Sequence, residues 1–402
     1  MRYIAIVAAL ITVTLTFAQD FPPEYERPWE DWEPPVIEMP EPNAYYLYQL
    51  AFDLLEEFET PPRDATDEDL RASIAGFELA YQALQQAQMS ECRFPLLADP
   101  EQVFPELAQA RNACRFMAAH ARVNVFDGRM AQAALDCVAC VRMGAAASSN
   151  GVLIAGLVSV ACEAIGLREL EEIIPALQPD ECRVVIEALR VAEADRVTLS
   201  EVLQGELLYG KMLMKRQFED FPTQTEAQQT LAAMTPEDRE KALAEWDELM
   251  RQGTELFNPD NSWRKYEDWF GLLIEETQKP YWDRAEVPLP GDPMVDIMVN
   301  VYGRTQTKFV IADAKLRLAL CQLAAQGYMV EWGGPPQNLE VLVPEFLPFI
   351  PDDPFRDATL SSMELDDEFV IYSIGPDRED NGGTPIEGYP DADSDGDMVV
   401  ML

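Results

Sequence analysis

Histidine is almost absent from this chain: His120 stands alone among 402 residues. One imidazole excludes multi-histidine zinc centres, and the cysteines do not recur at zinc-ligand spacings. His120 lies in Phe116-Met-Ala-Ala-His120-Ala-Arg, a helical stretch. With neither a Ser-x-Gly elbow nor a Cys partner, it reads as a helix residue with satisfied hydrogen bonds. Positive charge is scarce too: 30 Lys and Arg face 72 Asp and Glu, a formal net charge of -42. Nucleic acid and anionic membrane surfaces are bound through Lys and Arg, so neither is expected as a partner. No glycine-rich phosphate loop is present, and no GxGxxG opens a helix. Long apolar runs are missing after residue 18, so no later segment is expected to cross a bilayer.

What is present describes a folded, exported protein. Apolar residues make up 48% of the chain and aromatics 9%, enough for a buried core and about two or three domains. Arg2 precedes an apolar run that ends at Thr16-Phe-Ala18, the pattern of a secretory signal peptide over 1–18, cleaved after Ala18. Export places the chain in the periplasm or cell envelope, or secretes it, with membrane contact only if that signal stays uncleaved. Seven cysteines (92, 114, 137, 140, 162, 182 and 321) then permit disulfides, and an odd count leaves one thiol free. Cys137 and Cys140 form a C-x-x-C inside a helical run with no preceding strand, so they read as small core residues.

The organisation is mainly α. Residues 19–43 carry seven prolines among Trp29, Trp32 and many Glu, an acidic linker rather than a packed element. Residues 44–218 read as an irregular antiparallel helical array. Its first helix groups Leu47, Leu50, Ala51, Leu54, Leu55 and Phe58 on one face. A second starts at the cap Thr66 and runs through Leu70, Ile74, Phe77, Tyr81 and Leu84. Others cover about 105–126, 129–143, 152–170, 180–195 and 199–218. The stretch 121–147, with small residues at packing positions and Gly at the turn, is tetratricopeptide-like, although no clean period of about 34 residues recurs. Residues 219–292 form a Trp-rich bridge with a helix over Thr235–Phe257. Its rings (Trp263, Trp269 and Trp282 among them) are spaced as core packing, with a sugar platform as the rival reading.

Residues 293–402 carry the densest chemistry. From Pro351 to Leu402, fifteen Asp or Glu stand against two Arg. Such carboxylates repel one another unless screened, and on Gly-rich turns they suit a hard divalent cation. Asp391-x-Asp393-x-Asp395-Gly396 copies the first half of an EF-hand loop. The position needing a bidentate Glu falls on Leu402, however, and no exiting helix follows, which rejects an EF-hand.

The order of signals is also informative. A long helix over 294–326 leads to Leu347-Pro348 and Asp353-Pro354-Phe355. A strand over 368–374 then ends in Tyr372-Ser373-Ile374-Gly375-Pro376-Asp377, before the acids up to Asp397 and a last strand over 398–402. This order resembles the globular domain of type II secretion major pseudopilins, over roughly residues 300–402. The resemblance implies a small α+β domain with an acidic loop that binds calcium through carboxylates and backbone carbonyls. Asp377, Asp395 and Asp397 match as ligands, with Asp380 or Asp393 joining them. The prepilin signature, Gly before Phe-Thr-Leu-x-Glu, is missing, so the chain is not read as a pilus subunit. Arg356-Asp-Ala-Thr replaces the usual Gly-Asn-Pro-Tyr after Asp-Pro-Phe. A helical region joined to this ending also resembles exported bacterial proteins of that architecture, which implies no activity.

The reading is thus an exported, non-catalytic interaction scaffold for protein partners of the envelope, ending in a calcium-stabilised domain. Alternatives are an accessory component of a type II secretion or type IV pilus-like apparatus, and a carbohydrate-active enzyme using paired carboxylates. Nothing in the sequence names a small-molecule substrate.

Overall fold

The computed structural model describes residues 27–95, 104–149, 151–219, 235, 259–299, 302–365 and 368–402. The signal segment 1–18 lies outside the described residues, as does the helix expected over Thr235–Phe257 apart from residue 235.

Local signals set most boundaries. Helix α1 spans Tyr45–Leu54. The Thr66 hydroxyl accepts from the Asp69 N–H and Asp69 reaches back to the Thr66 N–H, a capping box that starts α2 (Asp67–Ile74). α3 (Glu78–Ala87) follows. The sequence pattern suggests one helix across 67–84, but Gly76 takes φ +91° and splits it in two. α4 (Pro105–Phe126) opens on a proline that needs no backbone partner there, and Gly128 at φ +73° turns the chain into α5 (Met130–Ser148). Next come α6 (Leu153–Ile173), α7 (Pro179–Ala194), α8 (Leu199–Glu219), α9 (Pro259–Thr277), α10 (Pro293–Val299) and α11 (Tyr302–Trp332). The helix expected over 294–326 is therefore two described helices, and the second continues to Trp332.

Three strands follow: β1 (Ser361–Leu365), β2 (Glu368–Ser373) and β3 (Met398–Met401). They form one antiparallel sheet in the order β1-β2-β3, with Ser361 opposite Tyr372 and Val370 opposite Met401. The β1–β2 hairpin forms although Arg356-Asp-Ala-Thr precedes it. Alternation then sorts the central strand. Phe369 and Ile371 join the core built on α11, while Gly383 of the acidic loop lies over Met363 and Val370 on the other face. The described residues are mainly helical, with this small three-stranded sheet.

The core has three parts. One joins α5, α6, α7, α11 and the sheet; one joins α1 to α6; the third gathers Trp29, α8, α9, α10 and the start of α11. The expected linker is corrected by the third, because Trp29 is 1% exposed and packs 4.9 Å from Phe218 and 6.4 Å from Trp263. Lys215 holds the same segment by donating to the Trp32 carbonyl oxygen at 2.7 Å. The buried face of α1 also differs. Tyr48, Ala51 and Phe52 point inward against Phe94, leaving Leu50 49% exposed. Aromatic packing outweighs the leucine stripe there. All seven cysteines are free, and Cys137 and Cys140 are buried core residues.

α5 is long and apolar enough to cross a bilayer, against expectation, yet 67% of that window is buried inside the protein. Small residues bring α6 against it. A Cβ on Gly144 would lie 2.9 Å from the Ser159 carbonyl oxygen, and one on Gly166 would collide with the Cys137 carbonyl oxygen. Gly166→Val is expected to force the pair apart and cost about 1–3 kcal/mol, read by urea denaturation. An unchanged midpoint would contradict the close approach.

Candidate functional site

The acidic C-terminal loop is anchored by a residue that the sequence reading passed over as a metal candidate, Asp353. It is 0% exposed, and it connects the Asp-Pro-Phe turn to the end of β2. Its Oδ1 accepts from the Ser373 hydroxyl at 2.7 Å and the Phe355 N–H at 3.1 Å; its Oδ2 accepts from the Ile374 N–H at 3.0 Å. The Arg356 Nε lies 3.3 Å from Oδ2, and its Nη1 donates to Asp380 Oδ2 at 3.1 Å. One arginine therefore bridges the turn and the loop.

Beyond β2 the chain turns at Gly375, φ +75°, where a Cβ would lie 2.5 Å from the Gly396 carbonyl oxygen. This close approach brings the two ends of the loop together. Asp377 Oδ2 accepts from the Gly396 N–H at 2.8 Å and from Asn381 Nδ2 at 3.0 Å. Asp397, 0% exposed, accepts from the Asn381 N–H at 3.2 Å and the Gly383 N–H at 2.6 Å. Asn381 thus links both carboxylates. Asp380 accepts from the Gly382 N–H at 3.1 Å and the Tyr372 hydroxyl at 3.3 Å.

Electrostatics separates these acids. Burial raises the Asp397 carboxyl above its ordinary value, and the nearby charges of Asp380 and Asp377 add to this against its two N–H donors. Burial would raise Asp380 too, but the Gly382 N–H and Arg356 hold it below the usual range. Asp377, Asp380 and Asp397 therefore lie within reach of one another's fields. Asp393 and Asp395 do not join them. They are exposed in a turn where Asp391 Oδ1 accepts from the Asp393 N–H at 2.9 Å and the Ser394 hydroxyl at 3.1 Å. Among the described residues no three His, Cys, Asp or Glu side chains are grouped to hold an ion. Asp377 and Asp397 are linked through Asn381, and the donors to both are N–H groups of the loop.

The loop tip reaches α11, where the Tyr389 ring covers Lys315, with Nζ 3.6 Å from its centroid. Burial pushes the Lys315 ammonium down to about 8, with Glu171 opposing.

A second polar centre lies in the array. Asp136 on α5 is 1% exposed and accepts from the Tyr81 hydroxyl at 2.8 Å, Gln132 Nε2 at 2.9 Å and Asn124 Nδ2 at 2.8 Å. Its Oδ2 also lies 2.8 Å from His120 Nδ1, and the Tyr81 ring stacks on the imidazole at 3.7 Å. His120 is therefore satisfied, as expected. The cluster itself went unread. Its signal was the single carboxylate within Ala133-Ala-Leu-Asp136-Cys-Val-Ala-Cys140.

Comparison of the chain with protein-family models, curated proteins and solved structures gave no match.

Two outcomes follow from these geometries. Asp353→Ala is expected to cost at least about 3 kcal/mol, because two buried N–H groups and one hydroxyl each lose an acceptor at about 1–3 kcal/mol. A fall under about 1 kcal/mol in chemical denaturation would refute the anchor. Lys315 sets a pH dependence. Unfolded, it keeps its proton up to 10.5; folded, it releases it near 8. Between those values folding releases a proton, so its contribution to stability rises with pH and is lost as pH falls through about 8. Lys315→Met should melt above the parent at about pH 7, with the margin narrowing towards about pH 10. A widening margin would reverse the assignment.

Proposed function

We propose that this chain is an exported, non-catalytic scaffold for protein partners of the cell envelope, with an acidic C-terminal loop set by calcium. The observation that carries the reading is Asp397. A fully buried carboxylate receives only backbone N–H groups, while Asp377 and Asp380 add negative charge beside it. Asp377 and Asp397 would hold the ion, whose charge would offset that repulsion. The expected set of five thereby narrows to two principal ligands, with Asp380 engaged by Arg356 and Asp393 and Asp395 outside.

Support for a pseudopilin-like C-terminal unit comes from its layout. A long helix lies under an antiparallel sheet, and the acidic loop connects β2 to β3 over the outer face. That layout also favours a second reading, an accessory part of a type II secretion or pilus-like apparatus. The tetratricopeptide-like reading of the array rests on α4 and α5 meeting through small residues across Gly128. Of the rings named for the carbohydrate-active alternative, Trp263 and Trp269 are buried and Trp282 is half-buried.

Magnitude bounds the role of the ion. Extracellular calcium modules bind at about 10⁻⁴–10⁻³ M, so about millimolar calcium contributes only about 0.4–1.4 kcal/mol. The full chain should melt a few degrees higher with calcium, EGTA should reverse the shift, and Asp377→Ala should abolish it. No response to calcium or EGTA would end the proposal. Retention of envelope assembly proteins on the tagged full chain would decide for the second reading, and their absence against it.

A further inference from the structure

The array contains a cavity of about 550 Å³ between α3, α4, α5 and α7. Its walls carry Gln82, Gln85, Gln86, Gln88, Gln132 and Arg142, over a floor that includes Met117 and Val138. The composition is unusual for this chain. Where 72 acids outnumber 30 bases, five neutral amides and an arginine face one space. Asp136 is the acid in that lining, and the bonds from Tyr81, Gln132, Asn124 and His120 already engage it.

Arg142 is the informative wall residue. Among the described residues it donates one hydrogen bond, Nη1 to the Gln88 carbonyl oxygen at 3.2 Å, and pairs with no carboxylate. A guanidinium that lines the cavity with no acid paired to it suits the two oxygens of a carboxylate. The other glutamines each offer a donor and an acceptor, which suits peptide groups. The apolar floor suits small side chains, and the volume is that of a small-molecule site.

We infer that this cavity binds a carboxylate-bearing, peptide-like small molecule, with the carboxylate on Arg142 and the amides along the glutamine rim. The ligand's carboxylate comes either from a peptide C-terminus or from a simple organic acid, and the two are separable. Calorimetry on the full chain would use acetyl-trialanine as free acid, the same peptide as C-terminal amide, and propionate. The acid should bind about ten-fold more tightly than the amide, and Arg142→Met should erase that difference. Propionate should bind about ten-fold more weakly than the peptide acid; equal binding would remove the rim from the site and overturn the peptide assignment. Gln86→Glu, at an exposed position, should weaken the acid several-fold more than the amide; it decides the matter if Arg142→Met fails to fold. Absence of heat with every probe, equal affinity for acid and amide, or an acid affinity untouched by Gln86→Glu would each overturn the site.

Discussion

Helix α11 is buried on two sides, and the rest of the structure depends on that. Ala314, Leu316, Leu318, Leu320, Cys321, Leu323 and Ala324 all belong to one core shared with α5, α6, α7 and the sheet. A helix apolar around most of its circumference is stable only when covered on every side. The array covers one side and the strands another, so neither can leave without exposing the helix. Its polar residues are committed in the same way. Gln326 donates to the Pro175 carbonyl oxygen at 3.0 Å, and Gln322 to that of Met401 at 3.3 Å. Asp313 receives Arg196, which also grips the buried Glu163 of α6 through both carboxylate oxygens. Such a buried group is weak as a source of stability but strict about geometry, since loss of one partner strands the others.

The acidic loop follows a different rule. With few cations to draw on, it satisfies its inward carboxylates with its own backbone amides. Asp377 and Asp397 each accept from a glycine N–H of the loop, and Asp353 from the Phe355 and Ile374 N–H groups. Amide dipoles screen part of the charge, and burial retains the rest, which is why Asp397 stays raised while Asp380, beside Arg356, is lowered. The single Arg356 therefore divides the acids into a compensated and an uncompensated group. It is the uncompensated group on which the calcium proposal rests.

Two polar centres in the array show the same economy of positive charge. Asp136 draws four neutral or imidazole partners instead of an arginine, while Arg142, in the same cavity lining, pairs with no carboxylate among the described residues. A charge pair was within reach of the sequence, and the fold keeps the two groups apart.

Much of the helical frame was legible because its signals are local. Thr66 with Asp69, Pro105, Gly128 and Pro179 mark helix ends through groups a few residues away, and β2 shows itself as a run of Phe369, Val370, Ile371 and Tyr372. The density of acids after Pro351 was equally plain. What the tertiary structure alone decided is which side chains face inward. Asp353 and Asp397 are buried while Asp393 and Asp395 are not, although all four sit among similar acids. Leu50 yields its core place to Tyr48 and Phe52, and Trp29 docks on Phe218 and Trp263. Each of these outcomes rests on a partner distant along the chain, such as Ser373 for Asp353 or Phe94 for Phe52. Local pattern sets where the backbone bends; burial is settled only when remote surfaces compete for the same space.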